Sequence, residues 1–454
     1  MGDRTIAAIA TPLGEGGIGV IRISGENAIG AADKCFCAFS GKKLSMLDGY
    51  QAAYGIVTDA EGATIDDAVA LVFRAPKSYT GEDVVEISVH GGTVVTRQVL
   101  RRILECGATL ATGGEFTKRA FLNGKLDLTK AESVMSLISA RSEAALKISR
   151  GAREGRISRD TQYILDKLLE TAASIAAFAD YPDEDIPNLN KDTFDALLNE
   201  CYQKCQKLIS TYDAGRAVRE GINCAIVGKP NVGKSTLMNL LCGTDRSIVT
   251  DIAGTTRDIV ENTVTIGDVI LNLADTAGIH STDDTVEKFG VDRAKEKIEN
   301  AELLLAVFDC SSPLDSDDRQ LLDSIRDKNC IVILNKTDLC AAFDKQEMCD
   351  FETVEISAQK GDGYDELCNK INRICKTEML SPDDTVLISE RQRDCVRRAL
   401  EAVSGARDAL NSGMTYDAVG VCVDDAVAAL LELTGKRVTN EVCDEIFKRF
   451  CVGK

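Results

Sequence analysis

The chain has 454 residues and a formal net charge of −19 at pH 7, with 44% hydrophobic and 28% charged residues. This length predicts two to four domains, each able to bury its own core. The acidic balance argues against nonspecific binding to phosphate backbones, which requires a basic footprint. No apolar run approaches the length of a membrane helix and the N-terminus lacks the apolar core of a signal peptide, so we expect a cytoplasmic protein without a membrane segment.

The seventeen cysteines are scattered along the chain, and none forms a C-x-x-C pair. Cys224, Cys310 and Cys330 lie among apolar neighbours, which is typical of reduced cysteines that act as small core residues. A zinc site would require clustered cysteines and histidines, but the only histidines are His90 and His280. We therefore predict no metal site of this type.

Residues 1–118 predict an α+β domain. Apolar or alternating runs bounded by Gly, Asp or Pro, which are typical of strands, occur at Thr5–Ala10, Val20–Ser24, Ala52–Val57, Ala68–Phe73 and Val84–Val89. Helical spacing of apolar residues occurs at Gly25–Cys37 and Thr93–Cys106. Val89-His90-Gly91-Gly92 leads from a strand into a helix, which suits an anion, although a tight turn that needs glycine is the simpler explanation.

The residues that follow favour helix. Apolar residues recur at three- and four-residue spacing in Ala131–Ile138, Tyr163–Phe178, Arg391–Leu410 and Asp424–Leu433. Neither block of helices is complete as a bundle, so we predict one helical domain, residues 119–218 and 381–454. A nucleotide domain, residues 219–380, is predicted to be inserted between its two halves. The acidic, proline-bracketed residues 181–187 are interpreted as a solvated loop rather than a metal site.

The nucleotide domain is predicted first from a phosphate loop. The stretch is Gly228-Lys229-Pro230-Asn231-Val232-Gly233-Lys234-Ser235-Thr236, between an apolar run ending at Val227 and a helical pattern. G-x-x-x-x-G-K-S in this context brings several backbone N–H groups to one phosphate chain. Lys234 then reaches the β- and γ-phosphates, and the Ser235 hydroxyl binds Mg²⁺.

Further nucleotide motifs follow in order. They are Thr250-Asp251-Ile252-Ala253-Gly254-Thr255-Thr256-Arg257-Asp258, Asp275-Thr276-Ala277-Gly278, Asn335-Lys336-Thr337-Asp338 and Ser357-Ala358. Thr256 and Asp275 are expected to complete and support the Mg²⁺ shell, and the Gly278 N–H to meet the γ-phosphate. The Asp338 carboxylate accepts two N–H bonds from guanine and rejects adenine, and Ser357-Ala358 adds the last base contact. We therefore predict a guanine-nucleotide domain with a mostly parallel sheet flanked by helices, and the ligand at the carboxyl ends of the strands.

One position departs from the Ras-like pattern. Ile279 stands where Ras-like proteins carry a glutamine that orients the attacking water. An apolar residue cannot orient water, so hydrolysis requires another residue for this task and another source of positive charge. The amide oxygen of Asn231, together with carbonyls of residues 250–255, would hold a monovalent cation beside the phosphates.

These motifs and the flanking segments resemble the MnmE (TrmE) family of tRNA-modification GTPases over essentially the full chain. The family-like segments are residues 10–12, 16–25, 79–83, 90–92 and 114–128, and the closing Phe450-Cys451-Val452-Gly453-Lys454. Residues 254–258 alone are shared with ribosome-assembly GTPases such as Era and Der. A ribosome-assembly switch is therefore the alternative function, but it predicts a basic appended domain, and the flanks here are mildly acidic.

The resemblance implies an N-terminal domain that forms a homodimer and binds 5-formyltetrahydrofolate, a helical domain, and an inserted GTP-binding domain. Family members act with the flavoprotein MnmG, which would give a heterotetramer, to build a carboxymethylaminomethyl-type group at C5 of the wobble uridine of tRNA. The implied folate contacts are Arg22, Glu86 or Glu82, Lys125 and Lys454. The implied K⁺ ligands are Asn231, Thr250, Ile252 and Thr255, and the implied catalytic residues are Glu287 and Cys451. A cysteine buried in the helical domain is the alternative interpretation of Cys451.

Overall fold

The computed structural model describes residues 4–180, 191–243, 262–273, 299–340, 342, 345–381, 383–448 and 450–453. The chain divides into two compact units. Unit 1 comprises residues 1–135, 161–198 and 398–454, and unit 2 comprises residues 136–160 and 199–397. The predicted acidic loop at residues 181–187 lies outside the described residues. Each unit combines a sheet with helices, and the predicted domain boundaries stay a prediction.

The strands are β1 (Ile6–Ile9), β2 (Gly19–Ser24), β3 (Phe36–Ala38), β4 (Gln51–Thr58), β5 (Thr64–Phe73), β6 (Val84–Val89), β7 (Thr109–Leu110), β8 (Ile222–Val227), β9 (Asn262–Ile266), β10 (Val269–Leu273), β11 (Leu303–Asp309), β12 (Cys330–Asn335) and β13 (Glu352–Ile356). The helices are α1 (Ala28–Asp33), α2 (Thr93–Glu105), α3 (Glu115–Leu122), α4 (Leu128–Ile138), α5 (Glu143–Arg153), α6 (Arg156–Asp180), α7 (Lys191–Ser210), α8 (Tyr212–Arg219), α9 (Lys234–Gly243), α10 (Ser316–Ile325), α11 (Tyr364–Ile374), α12 (Glu390–Asn411), α13 (Tyr416–Thr434) and α14 (Asn440–Lys448). The described residues also include three short 3₁₀ turns. The predicted multidomain architecture, with α+β, helical and α/β parts, is confirmed.

Unit 1 contains a seven-stranded sheet in the order β3-β4-β5-β6-β2-β1-β7. All of its pairs are antiparallel except the pair of β1 with β7. Alternate residues such as Ile21 and Ile87 are fully buried and belong to one apolar cluster with residues of α1 and α2. Because side chains alternate along a strand, their neighbours Arg22 and Glu86 lie on the other face, directly opposite each other.

In unit 1, one predicted helix extends too far towards the C-terminus. The helical spacing of Gly25–Cys37 yields a helix only up to Asp33, and residues Phe36–Ala38 form β3 instead. β3 pairs with β4 in antiparallel register, Phe36 opposite Val57. Phe36 is buried in the same core that a longer helix would have served, so strand pairing satisfied both the backbone and the apolar side chain.

The C-terminal segment of unit 1 returns to the N-terminal strands. Phe447 of α14 and Phe450 pack in one apolar cluster with Leu128 of α4. Beyond α14, Val452 forms an isolated antiparallel bridge with Gly113, and the Gly114 N–H donates to the Cys451 carbonyl at 3.2 Å. The described residues 450–453, which we call the tail, therefore lie against the residues that precede α3.

Unit 2 contains a six-stranded sheet in the order β13-β12-β11-β8-β10-β9. Its pairs are parallel except for β9 with β10, which confirms the predicted mostly parallel sheet. Strand β12 is buried along its whole length, as expected for a strand covered on both faces. Parallel strands end at one edge, so the turns after β8, β11, β12 and β13 are brought together there.

The cysteines expected in the core are buried. Cys224, Cys310 and Cys330 are buried in unit 2 and form no disulfide. Burial raises the pKa of the Cys330 thiol to about 11, so this thiol is neutral at physiological pH. The prediction that these cysteines act as small apolar core residues is confirmed.

Candidate functional site

The phosphate loop joins β8 to α9 in a conformation that requires glycine at two points. Gly228 has a φ of +145° and Gly233 a φ of +99°, values that L side chains rarely adopt. A Cβ on Gly228 would lie 2.4 Å from the Val307 carbonyl oxygen, and one on Gly233 would lie 2.1 Å from Nδ2 of Asn335. The strand, glycine-containing turn and helix predicted from the motif are therefore all present.

Lys234 opens α9 and closes the loop. Its Nζ donates to the carbonyl oxygens of Gly228 at 2.7 Å and Lys229 at 2.6 Å. Burial lowers the pKa of this lysine below its ordinary value, so an anionic ligand at this point would stabilise its charged form. Ser235 and Thr236 follow in the first turn of α9 and are exposed. The loop thus presents a cation, a helix N-terminus and hydroxyls together, the groups that bind a polyphosphate.

Asn335, at the end of β12, braces the loop against the turn that follows β13. Its Nδ2 donates to the Val232 carbonyl at 2.8 Å, and its Oδ1 accepts from the Ala358 N–H at 3.0 Å. Val232, Asn335 and Ala358 are all buried. A single buried amide therefore fixes the phosphate loop and the predicted base-contact turn relative to each other.

Asp338 is held as an acceptor beside that turn. The Ser357 hydroxyl, itself buried, donates to Asp338 Oδ1 at 2.9 Å, and Lys360 Nζ lies 4.0 Å from Asp338 Oδ2. The structure thus brings Asn335, Asp338, Ser357 and Ala358 together at the carboxyl edge of the sheet. A carboxylate held in this way is suited to accept paired N–H donors from a purine edge.

Asp309 also belongs to this site, although it was not predicted from the sequence. Lys336, at a φ of +66°, pairs through Nζ with Oδ2 of Asp309 at 2.5 Å. Although burial opposes it, the hydrogen bonds from Lys336 and Ser311 hold the pKa of Asp309 below its ordinary value. The signal was available, because Asp309 ends the apolar run of β11 at the carboxyl edge.

The sequence placed Lys229 in the phosphate-loop motif but did not predict a role for its side chain. Its Nζ lies 2.5 Å from Oδ2 of Asp315 and 2.8 Å from Oδ2 of Asp318. Asp315 is the N-cap of α10, and these two aspartates form a reciprocal capping box. The Lys229 ammonium lowers the pKa of Asp315 to about 2. The phosphate loop is therefore attached to the start of α10 by an ion pair that no local motif encodes.

Many predicted nucleotide, Mg²⁺ and K⁺ residues lie outside the described residues. They are Thr250, Asp251, Ile252, Ala253, Gly254, Thr255, Thr256, Asp275, Thr276, Ala277, Gly278, Ile279 and Glu287. Of the predicted K⁺ ligands, Asn231 is described, with an exposed side chain and a φ of +64°. Within the described ranges, no group of three or more His, Cys, Asp or Glu residues could hold a metal ion.

A second site surrounds Arg22 in unit 1. Arg22 Nε donates to Glu86 Oε1 at 2.8 Å, and Nη1 donates to the Gly453 carbonyl at 3.1 Å. The Arg22 guanidinium carbon lies 5.8 Å from the ring centre of Tyr79 and 5.7 Å from that of Phe116, within the range of cation–π attraction. A half-buried cation, a carboxylate, two aromatic rings and the tail therefore meet at one place, which we call the Arg22 site.

The structure distinguishes the two predicted glutamates. Glu82 accepts from Arg119 Nη1 through both carboxylate oxygens, at 3.2 and 3.0 Å, and from the Ser24 hydroxyl at 2.7 Å. Arg119 is itself only 8% exposed, so Glu82 belongs to an internal ion-pair network. Glu86 pairs with Arg22, and Lys125 Nζ donates to the Pro76 carbonyl at 2.9 Å. Glu86 is therefore the glutamate of the Arg22 site.

The tail brings Cys451 close to this site, because Cys451 is two residues before the Gly453 carbonyl that Arg22 binds. Cys451 is an exposed free thiol, and its backbone is held by Gly114. The alternative interpretation, a cysteine buried in the helical domain, is therefore wrong. The predicted ligand Lys454 lies outside the described residues.

The chain matches two protein-family models in adjacent segments. The model of the GTP-binding protein TrmE N-terminus covers residues 5–125, and that of the MnmE helical domain covers residues 128–451. The tRNA modification GTPase MnmE of Clostridioides difficile is 40% identical over 457 residues, covering 100% of this chain and 99% of the relative. That of Geobacter sulfurreducens is 41% identical over 456 residues, with 100% and 99% covered.

Solved structures match the chain locally. The G domain of the T. maritima FeoB iron transporter is 25% identical with a TM-score of 0.26, covering 34% of this chain and 98% of that chain. Era of Aquifex aeolicus is 28% identical with a TM-score of 0.25, covering 40% and 66%. At these TM-scores the two structures carry no weight in the assignment.

None of the helices in the described part of the chain has both the length and the apolar character that crossing a membrane requires. The family assignment depends on the sequence matches, and the two family models together cover almost the whole chain. Two family models and an identity of about 40% over the full length show that this chain belongs to the MnmE (TrmE) family of tRNA modification GTPases.

Proposed function

We propose that the protein hydrolyses GTP as the K⁺-stimulated component of a machinery that builds a carboxymethylaminomethyl group on C5 of the wobble uridine, U34, of tRNA. It acts with the flavoprotein MnmG and takes a one-carbon unit from formyltetrahydrofolate. The observation that carries the proposal is the full-length identity of about 40% to tRNA modification GTPases, on a chain whose guanine and phosphate motifs meet at one sheet edge. The same full-length identity does not favour the Era- or Der-like alternative.

In the nucleotide site, Lys234 and the N–H groups of the phosphate loop bind the phosphates, and Asp338 accepts from guanine. The donor set fits Mg²⁺ at one described residue, Ser235, whose hydroxyl is exposed on the first turn of α9. Thr256 and Asp275 would complete the coordination. When bound, Mg²⁺ neutralises charge that develops on the phosphate oxygens.

For hydrolysis we assign Glu287 to position the attacking water, in place of the glutamine that Ile279 lacks. Asn231, Thr250, Ile252 and Thr255 would hold K⁺, supplying positive charge near the β–γ bridge. The exposed Asn231 side chain on a strained backbone at a φ of +64° supports a ligand role at that position. Facing G domains of two subunits would complete the cation site.

In the Arg22 site we assign Arg22, Glu86, Lys125 and Lys454 to a reduced folate. The Arg22 guanidinium lies near two aromatic rings and donates to the tail carbonyl of Gly453. This arrangement would accept a planar ring beside Tyr79 and a carboxylate at the cation. The N-terminal region would form the homodimer, and Cys451 would act in the modification chemistry near the bound folate.

The test compares U34 in tRNA from cells with and without the gene, and after complementation with the wild type or with Lys234→Ala. The proposal requires loss of the C5 group in the deletion strain, its return with the wild type, and no return with the variant. Unchanged U34 together with defective ribosomal subunits would instead favour the ribosome-assembly alternative. A GTPase rate that is equal in KCl and NaCl would contradict the assigned K⁺ site but not the rest of the proposal.

A further inference from the structure

A strongly basic stretch stands out in unit 2 of this acidic protein. Residues 141–159, which include α5 and the first turn of α6, contain six basic and two acidic residues, a net charge of +4 in a chain of −19. We call these residues the basic stretch. Its cations are Arg141, Lys147, Arg150, Arg153, Arg156 and Arg159. From Lys147 onward a cation occupies every third position.

This spacing is unfavourable within a helix. Residues three apart are neighbours on the helix surface, so Lys147, Arg150 and Arg153 repel one another along α5. The buried face of α5 is formed instead by small residues, Ala145, Ser149, Gly151 and Ala152. Lys147, Arg150 and Arg153 are not among these buried residues, and their mutual repulsion is a cost that an anionic partner would relieve.

Most of these cations form no ion pair within the described residues. Lys147, Arg150 and Arg159 are exposed, and in the described part of the chain no acidic side chain forms an ion pair with them or with Arg153. Arg156 forms an ion pair with Asp383 at 3.6 Å. Arg141 donates to the Thr263 hydroxyl at 3.2 Å.

A second arginine-rich helix shows the opposite arrangement. In α12, Arg393 pairs with Glu390 at 2.5 Å and Arg397 pairs with Asp394 at 2.6 Å, each three residues away. These acidic residues cancel the local positive field, as is usual on a solvated helix. In the basic stretch, Lys147, Arg150 and Arg159 form no such ion pairs with described residues, so their positive potential remains available to an external anion.

We propose that the basic stretch is a surface that binds the phosphate backbone of RNA, and, resting on the proposed function, that this RNA is the tRNA substrate. Regularly spaced guanidinium and ammonium groups match a repeating phosphate chain, and binding releases counterions. An acidic protein partner fits less well, because a protein interface needs an apolar centre. Within the basic stretch, the only large exposed apolar side chain is Leu146, at 41%.

The test uses the full-length protein, an unmodified tRNA transcript and binding measured over a series of KCl concentrations. The variant is Lys147→Gln/Arg150→Gln/Arg159→Gln, three exposed positions outside the helix core. Its matched control is Lys42→Gln/Arg97→Gln/Arg101→Gln, exposed cations of unit 1 with the same loss of one lysine and two arginines. GTP binding and thermal unfolding of both variants establish that they are folded.

We expect the basic-stretch variant to bind tRNA at least tenfold more weakly and its log–log salt slope to fall by about 2, the value for loss of two to three phosphate contacts. The control should retain the wild-type slope. Three results would overturn the surface: no binding of tRNA by the wild type, equal losses in both variants, or normal tRNA binding with lost association of the flavoprotein. The U34 content of the deletion strain separately decides the proposed function, because it does not depend on these variants.

Discussion

The nucleotide site and the Arg22 site differ in how far along the chain their parts are separated. In the nucleotide site, Asp338 and Ser357 are 19 residues apart, and Asn335 and Val232 are 103 apart. In the Arg22 site, Arg22 and Gly453 are separated by 431 residues. The first site is gathered by strands of one parallel sheet, and the second requires the C-terminal helices to return the tail to the first strands.

This difference has consequences for how each site tolerates change. The nucleotide site is braced by hydrogen bonds among its own loops, so it is preorganised without contributions from the chain ends. In the Arg22 site, the cation is already neutralised by Glu86 at 2.7 Å, and the tail completes it from outside the sheet. We therefore expect loss of the internal hydrogen bonds to impair the nucleotide site. Loss of the tail should impair the Arg22 site.

The largest effect is expected from Asp338→Asn, because the carboxylate is the group that accepts from guanine. The amide would face the guanine donors with one of its own, so catalytic efficiency with GTP should fall roughly 10⁴-fold, the discrimination of a site with an unpaired polar group. Steady-state kinetics with GTP and xanthosine triphosphate would measure it, and activity should return in part with the latter. A variant that still prefers GTP would contradict the base assignment.

Asn335→Ala tests the internal brace. It leaves the buried Val232 carbonyl and Ala358 N–H without their partner, which should reduce the free energy of unfolding of the nucleotide part by about 3 kcal/mol. Denaturant titration measures this loss, with Asn239→Ala, an exposed asparagine of α9, as the control. A loss no greater than in the control would show that Asn335 does not brace the two loops.

Deletion of residues 451–454 tests the tail. Removing the Gly453 carbonyl and Lys454 should weaken binding of 5-formyltetrahydrofolate about 30-fold, as expected for a lost charge-assisted contact, while leaving GTP affinity unchanged. Isothermal titration with each ligand measures both. Cys451→Ser in the full chain is the control and should bind folate normally. Equal losses for folate and GTP would contradict the separation of the two sites.

Lys229→Ala tests the attachment of the phosphate loop to α10. Because Asp318 is 5% exposed, loss of the ammonium leaves a buried carboxylate less well compensated, and GTP affinity should fall about fivefold. A double-mutant cycle with Asp318→Asn measures the interaction energy of the ion pair apart from the other effects of each substitution. Additive effects of the two substitutions would mean that the ion pair does not position the loop.

The smallest effect is expected from Asp309, and it depends on pH. The folded-state pKa of Asp309 lies below the ordinary value of 3.8, so its contribution is present above that pH and is lost as the pH falls through the folded-state pKa. The free energies of unfolding of the wild type and Asp309→Asn should differ by less than about 1 kcal/mol at pH 7. The difference should shrink near pH 3, as measured by denaturant titration at both values. If the difference in the free energy of unfolding grew as the pH fell, it would contradict the lowered pKa of Asp309.

The sequence alone predicted many elements of the fold, because their patterns are local. The alternation of Val84–Val89 predicted β6 with its observed bounds. The phosphate loop and the Asn335–Asp338 motif were likewise predictable, since their chemistry requires particular residue types at fixed spacing. The strand at Phe36–Ala38 was not, because its pairing with β4 depends on residues twenty positions away.

Only the tertiary structure decided which side chains share a site across long separations. Glu82 and Glu86 are equivalent carboxylates in the sequence, but one pairs with Arg119 and the other with Arg22. The partners of Lys229 and Lys336, and the exposed position of Cys451 on the tail, are likewise set by strand order and by the return of the C-terminal segment. Hydrogen bonds and ion pairs act over a few ångströms in space, so a sequence reveals them only where the chain itself keeps the partners close.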